Sequence, residues 1–220
     1  MSQITFKFPF KTHYYEKDFY VSSNNFDAYK LIENWPQWPG NNINIFGPSG
    51  SGKTHLANIL NKKINTAFVN APDINNNFLS KVKKVDCVII DDYHNNIQEN
   101  LFYSLINEVL QSNQHMLINS KIPINQTTTN LKDLNSRFKN FISLGIQMPT
   151  DELLRVIITK SFSDKQIEVN VRVLEFILKN IDRSYEKIFK FIEDIDIASL
   201  SSGKSININL VKKVLKDESI

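Results

Sequence analysis

Residues 47–54 read Gly47-Pro48-Ser49-Gly50-Ser51-Gly52-Lys53-Thr54 and fit the pattern G-x-x-x-x-G-K-[ST]. Glycines at this spacing let backbone N–H groups turn inward around a pair of phosphates, and a helix that follows presents its positive end to the same charge. Lys53 is placed to reach the β and γ phosphates, and Thr54 to hold Mg²⁺ through its hydroxyl. A second chemical feature lies some forty residues on, where the apolar run "VDCVII" (85–90) ends in Asp91-Asp92. Strand ends of a parallel sheet open on the ligand crevice. Asp91 is therefore expected to orient water around Mg²⁺, and Asp92 to polarise an attacking water.

These residues need a particular scaffold. "NNINIF" (41–46) is a β-rich run ending at the glycine loop, "KTHLANILNKK" (53–63) has helical spacing, and "TAFVN" (66–70) reads as a second strand. The 85–90 run is continuously apolar, as a strand buried on both faces requires. Residues 98–112 carry Leu101, Leu105, Ile106 and Val109 at a helical period, and "HMLINS" (115–120) and "FISLGI" (141–146) read as further strands. Alternating strands and helices predict an α/β fold, a parallel sheet flanked by helices. After Met148-Pro149 the chain reads as helices over 151–162, 170–181, 184–200 and 208–216, with Asn170 and Ser184 as N-caps. The expected organisation is an extended arm (1–12), an α/β nucleotide-binding base (13–149) and an all-α lid (150–220).

Bulk properties narrow the class. The chain has 220 residues, 41% of them hydrophobic, and a net charge of +3, enough for one sizeable core and too mild to announce a nucleic-acid partner. The single cysteine, Cys87, excludes an internal disulfide and a cysteine zinc site. His13, His55, His94 and His115 lack metal-ligand spacing. No apolar run approaches the ~20 residues that cross a bilayer, and the N-terminus lacks a signal-peptide pattern. A cytoplasmic, nucleoid-associated protein with no membrane partner is expected. Trp35 and Trp38 are expected to pack on the base, and the lysines of "KVKK" (81–84) to be solvated.

The glycine loop, Asp91-Asp92, "LINSKIP" (117–123), "LNSRF" (134–138) and the helical lid together resemble the DnaA/Hda family of AAA+ ATPases over nearly the whole chain. The resemblance implies binding of ADP or ATP with Mg²⁺, with Phe19 and Val21 of "DFYVSSNN" (18–25) lining the adenine pocket and His55 joining the loop residues. It implies a sensor role for Asn119, beside Ser120, at the γ-phosphate. It makes Arg137 an arginine finger that acts in trans on a neighbour's nucleotide. The chain stops at Ile220, just after the lid, where DnaA continues into a DNA-reading domain, so the resemblance points to the Hda branch. Its implied partners are the DnaA initiator, the polymerase III sliding clamp (β subunit), DNA indirectly through that clamp, and other copies of itself.

Two further expectations follow. Gln3, Ile4, Phe6 and Phe8 resemble a clamp-docking peptide, with glutamine in a polar slot and the apolar side chains in pockets; the alternative is an edge strand packing on the chain's own core. In the lid, the register of Ile188 puts Glu186 at the family's sensor 2 arginine position, with Arg183 and Lys187 as nearby substitutes. A carboxylate facing phosphate is repulsive, so intrinsic hydrolysis is expected to be weak. The alternative function is a DNA-remodelling ATPase or helicase loader with its own turnover. Lys121 also replaces a residue that is usually acidic in the family.

Overall fold

The computed structural model describes residues 14–94, 97–203 and 205–217. The described chain forms two compact units, Tyr14–Gln147 and a second that begins at Met148.

The first unit is built on a five-stranded, wholly parallel sheet in the order β2-β3-β4-β1-β5. The strands are β1 (Asn42–Phe46), β2 (Thr66–Asn70), β3 (Cys87–Tyr93), β4 (His115–Ser120) and β5 (Ile142–Gly145). Helices α1 (Phe26–Glu33), α2 (Lys53–Lys63), α3 (Asn76–Lys81), α4 (Glu99–Gln111) and α5 (Lys132–Phe138) connect them. Alternation along the central strands separates two cores. Val88, Ile90, Met116 and Ile118 face a cluster with α3, α4 and α5, while Cys87, Ile89 and Leu117 face one with α1 and α2. Burial on both faces explains the continuous apolar run of β3, and it pushes the Cys87 thiol pKa far up.

On α4 the buried stripe is Phe102, Leu105, Ile106 and Val109, the i, i+3, i+4, i+7 set, so Phe102 rather than Leu101 completes the core face. β3 runs three residues past Ile90, because a bulge lets Tyr93 pair again with Ser120. Tyr93 is buried there against Phe102 and Phe138. Three helices escape the sequence pattern: α1, α3 and α5 have 8, 6 and 7 residues, too short to establish a period. Trp38 is buried, donates from Nε1 to the Leu31 carbonyl at 2.8 Å and packs edge-on against Trp35. The lysines at 81, 83 and 84 are exposed around a buried Val82.

The second unit contains α6 (Asp151–Asp164), α7 (Val171–Asn180), α8 (Tyr185–Ser202) and α9 (Ile208–Asp217). Side-chain oxygens of Thr150, Asn170 and Ser184 accept from Leu153, Arg172 and Lys187 N–H groups and cap the first three. Gly203, at φ +63°, ends α8 in the left-handed conformation. Leu154, Ile158, Ile177, Ile188, Phe191 and Val211 form its own core.

Candidate functional site

The glycine loop leaves the carboxyl end of β1 and turns directly into α2, at the point in the sheet where β4 and β5 lie on opposite sides of β1. This is the switch point at which open α/β sheets hold ligands. Gly52 sits at φ +96°, and a Cβ there would come within 2.9 Å of the Phe19 ring. At Gly47 a Cβ would meet the Ile146 carbonyl oxygen at 2.6 Å. The cradle is therefore bare backbone because neither position admits a side chain.

Lys53 Nζ donates to the carbonyls of Gly47 and Pro48, both at 2.8 Å, so the ammonium lies over its own loop. Burial lowers its pKa; Asp91 and Asp92 pull it back up, and Lys121 pushes it further down. Thr54 Oγ1 donates to Asp91 Oδ2 at 2.7 Å, and Asn119 Nδ2 donates to Asp91 Oδ1 at 2.8 Å. Asp91 is only 5% exposed. These groups meet in a cleft of about 470 Å³ lined by Lys53, Thr54, Asp91, Asp92 and Lys121 together with Ser49 and Gly50.

Asp92 stands in the β3 bulge at φ +52° and is exposed. An aspartate tolerates this left-handed conformation better than most residues, but the backbone there is strained, as at many sites of chemistry. The bulge turns consecutive acids to different uses: Asp91 into the hydrogen-bonded wall, Asp92 to solvent at the cleft.

The residues fit a phosphate-bearing ligand with Mg²⁺. Mg²⁺ is commonly held by one or two protein oxygens plus phosphates and waters, and the Thr54 hydroxyl and Asp91 carboxylate are such a pair. No cluster of three or more His, Cys, Asp or Glu exists among the described residues, so a metal here must take part of its shell from the ligand. Ser51 Oγ and Asn119 Oδ1 are buried with no protein partner, both beside the loop or the acidic wall, and are available to a ligand or water.

Phe19 stacks on Tyr29 and meets His55 edge-on at 5.3 Å, against the first turn of α2. Val21 is half-buried two residues on. Arg137, on α5, does not line the cleft. Its guanidinium lies 6.0 Å from the centre of the Tyr103 ring, and among the described residues it pairs with no carboxylate. In the lid, Glu186 is exposed in the first turn of α8, where the helix dipole favours an acid. Both suggested substitutes are engaged: Arg183 with Asp151 at 3.0 Å and Lys187 with Asp182 at 2.8 Å. Gln3, Ile4, Phe6 and Phe8 lie outside the described residues.

One structural residue escaped the sequence reading. Asn44 of β1 is fully buried and donates to the Ile118 carbonyl and Ser120 Oγ, while its Oδ1 accepts from Ile124 N–H, all at 2.9 Å. It ties the middle of β1 to the carboxyl-terminal half of β4. An amide inside a strand that should be apolar on both faces was the available signal.

Loop, acidic strand end and sheet order together define a P-loop protein of the AAA+ fold with a helical lid. A family model described as RNA helicase matches residues 43–136, and one described as the Hda lid domain matches residues 151–215. The chromosomal replication initiator protein DnaA of Buchnera aphidicola subsp. Baizongia pistaciae is 29% identical over 99% of this chain and 53% of its own length. The crystal structure of domain III of Thermotoga maritima DnaA superposes with a TM-score of 0.79 at 22% identity, covering 96% of this chain and 98% of that one. Aquifex aeolicus DnaA, solved bound to AMPPCP, gives 0.72 at 19% identity, over 94% and 69%. The chain is thus similar to DnaA proteins over nearly its whole length and shares the fold of DnaA domain III, and its helical unit matches the Hda lid model. It spans about half the length of the curated relatives it matches. Among the described residues, no helix is long and apolar enough to cross a membrane.

Proposed function

We propose that this protein regulates replication initiation as Hda-like proteins do. In this reading it binds adenine nucleotide with Mg²⁺ in the P-loop cleft, docks on the sliding clamp through Gln3–Phe8, and inserts Arg137 beside the ATP of a DnaA subunit. Thr54 and Asp91 hold Mg²⁺, Lys53 neutralises phosphate, Asn119 fixes Asp91, and Phe19 packs beside the adenine. The metal supplies charge neutralisation at the β and γ phosphates.

The observation that carries the reading is Arg137. A permanently charged fork that stands outside the P-loop cleft and pairs with no carboxylate among the described residues suits a foreign phosphate, and Tyr103 offers it an aromatic face. An arginine supplied in trans is worth about 10³–10⁵ in rate in NTPases. The match of residues 151–215 to the Hda lid supports the choice of branch.

The test is steady-state ATP hydrolysis by DnaA with and without this protein and DNA-loaded clamp. Stimulation that disappears in Arg137→Ala, with nucleotide binding unchanged, supports the reading; equal stimulation by the variant removes it. A second reading, a motor with its own turnover, draws on the complete set of Lys53, Thr54, Asp91, Asp92 and Asn119 and on the helicase-type match over 43–136. Rapid hydrolysis by the isolated chain would favour it.

A further inference from the structure

Arg137 stands in the last turn of α5, and that helix is fastened to α4 at both ends. The N-cap residue of α5 is Leu131, which has no side-chain oxygen to offer the first N–H groups. Glu99, in the first turn of α4, supplies acceptors instead: its two carboxylate oxygens accept from Asn130 N–H at 2.9 Å and Leu131 N–H at 2.8 Å. At the other end Phe138 is buried edge-on against Phe102 of α4. Tyr103 follows Phe102, shares a face of α4 with Glu99 four residues earlier, and is half-buried against the same core. The half-buried Arg137 guanidinium lies over its ring, 6.0 Å from the centre.

A competing partner stands on α5 itself. Asp133 precedes Arg137 by four residues, the spacing and order at which an acid and an arginine pair on a helix surface. That pair is not made: Arg137 meets Tyr103 and no carboxylate among the described residues. The difference matters for a cation that must act on another subunit. A carboxylate would cancel its charge and compete with phosphate, whereas a ring attracts the guanidinium through its quadrupole and leaves the charge uncancelled. We propose that Tyr103 is a positioning residue for Arg137: the ring keeps the guanidinium from Asp133 and presents it to the phosphate of a neighbouring subunit. This rests on the reading of Arg137 as a finger acting in trans.

The experiment measures ATP hydrolysis by DnaA with DNA-loaded clamp as the full chain is titrated in, which separates the maximal stimulated rate from the half-saturating concentration. Tyr103→Leu and Tyr103→Gln replace the ring with an apolar and a polar chain, and Tyr103→Phe keeps it. The two ring-less variants should lower the maximal rate about threefold to tenfold, with half-saturation unchanged within about twofold, and Tyr103→Phe should match the wild type. Adding Asp133→Asn to Tyr103→Leu should raise the rate again by about a factor of two, because the competing carboxylate is gone. Thermal melting and nucleotide binding of these variants should follow the wild type, since Tyr103 is only half-buried and lies outside the P-loop cleft. With Arg137→Ala abolishing stimulation as a control, three results would each overturn the role of Tyr103. They are full stimulation by both ring-less variants, a rise in the half-saturating concentration alone, and no rescue by Asp133→Asn. No stimulation by the wild type, or undiminished stimulation by Arg137→Ala, would overturn the finger reading itself and the role of Tyr103 with it.

Discussion

Asn119 and Asp91 offer a sharp test of how the acidic wall is held. A carboxylate only accepts hydrogen bonds, so the Asn119 amide must present Nδ2 to Asp91, which leaves Oδ1 buried and unpartnered. In Asn119→Ala the buried Asp91 oxygen loses its donor. A hydrogen bond to a charged group contributes about 1.5–3 kcal/mol, and the vacated side-chain volume adds to the loss, so we expect about 2–4 kcal/mol of destabilisation. Asp91→Asn looks harsher and should be milder. The new amide at position 91 can accept from Thr54 and donate to Asn119, whose own amide flips to offer Oδ1. Both hydrogen bonds survive without charge assistance, and a carboxylate that is 5% exposed no longer has to be desolvated. The net change should be about 1 kcal/mol or less. Both tryptophans, Trp35 and Trp38, lie in the unit that holds the site, so their fluorescence during urea unfolding reports on it. With m near ~2 kcal/mol/M, Asn119→Ala should lower the midpoint by about 1–2 M, and Asp91→Asn by a few tenths. Yet Asp91→Asn should abolish Mg²⁺-dependent nucleotide binding. Equal destabilisation by the two substitutions would refute the amide-flip reasoning.

Further expectations concern backbone, proton and cap. Gly52→Ala places a side chain at φ +96° and against Phe19; we expect about 1–2 kcal/mol of destabilisation and a melting temperature lower by several degrees, with weakened nucleotide binding. His115 packs edge-on against Trp35 and Trp38, and burial lowers its pKa against the opposing pull of Asp86. The folded state therefore binds this proton less readily than the unfolded chain. Stability contributed here is complete above the ordinary histidine pKa of ~6.5 and declines as pH falls through it, so His115→Gln should flatten that part of the pH–stability curve measured by urea titration. Ser184→Ala removes the α8 cap and should destabilise the lid unit by about 1 kcal/mol, read by hydrogen exchange on lid amides.

Much of this architecture is legible in the chain itself, and the reasons are physical. β2, β4 and α2 coincide with their sequence patterns because glycines, polar turns and strict periodicity bound them on both sides. Asn170 and Ser184 were readable as caps because a short polar side chain just before a helical stripe has few other uses. The short helices were not, since one or two turns cannot establish a period. Nor was the bulge in β3, because nothing in Ile90-Asp91-Asp92-Tyr93 announces an extra residue in the ladder. The loop itself was legible since its glycine spacing answers a local conformational requirement of a phosphate cradle; the Asp91–Asn119 bond was not, because its partners are 28 residues apart and meet only through sheet order.

That distinction bears on where control of this site resides. The glycine loop alone is a generic phosphate cradle. What makes it specific stands on the neighbouring strands: Asp91 and Asp92 turned apart by the bulge of β3, Asn119 at the end of β4 with Lys121 just past it, and Asn44 binding Ser120 from β1. Moving β4 by a single residue against β1 would break the Asn44 contacts with Ile118 and Ser120, reverse the faces of Asn119 and Ser120, and take Lys121 from the cleft. Asn44 is therefore the register pin of the site. Asn44→Val, which removes the pin while keeping a strand-forming apolar side chain, should deprive three buried groups of a bond, the Ile118 carbonyl, the Ser120 hydroxyl (which keeps its bond to the Ile122 carbonyl) and the Ile124 N–H, along with the half-buried Ser143 hydroxyl. Unsatisfied buried groups cost about 1–3 kcal/mol each, so the loss should exceed that of Gly52→Ala in the same urea titration. A well-folded Asn44→Val variant with unchanged nucleotide affinity would show that the strands hold register, and the site its geometry, without the amide.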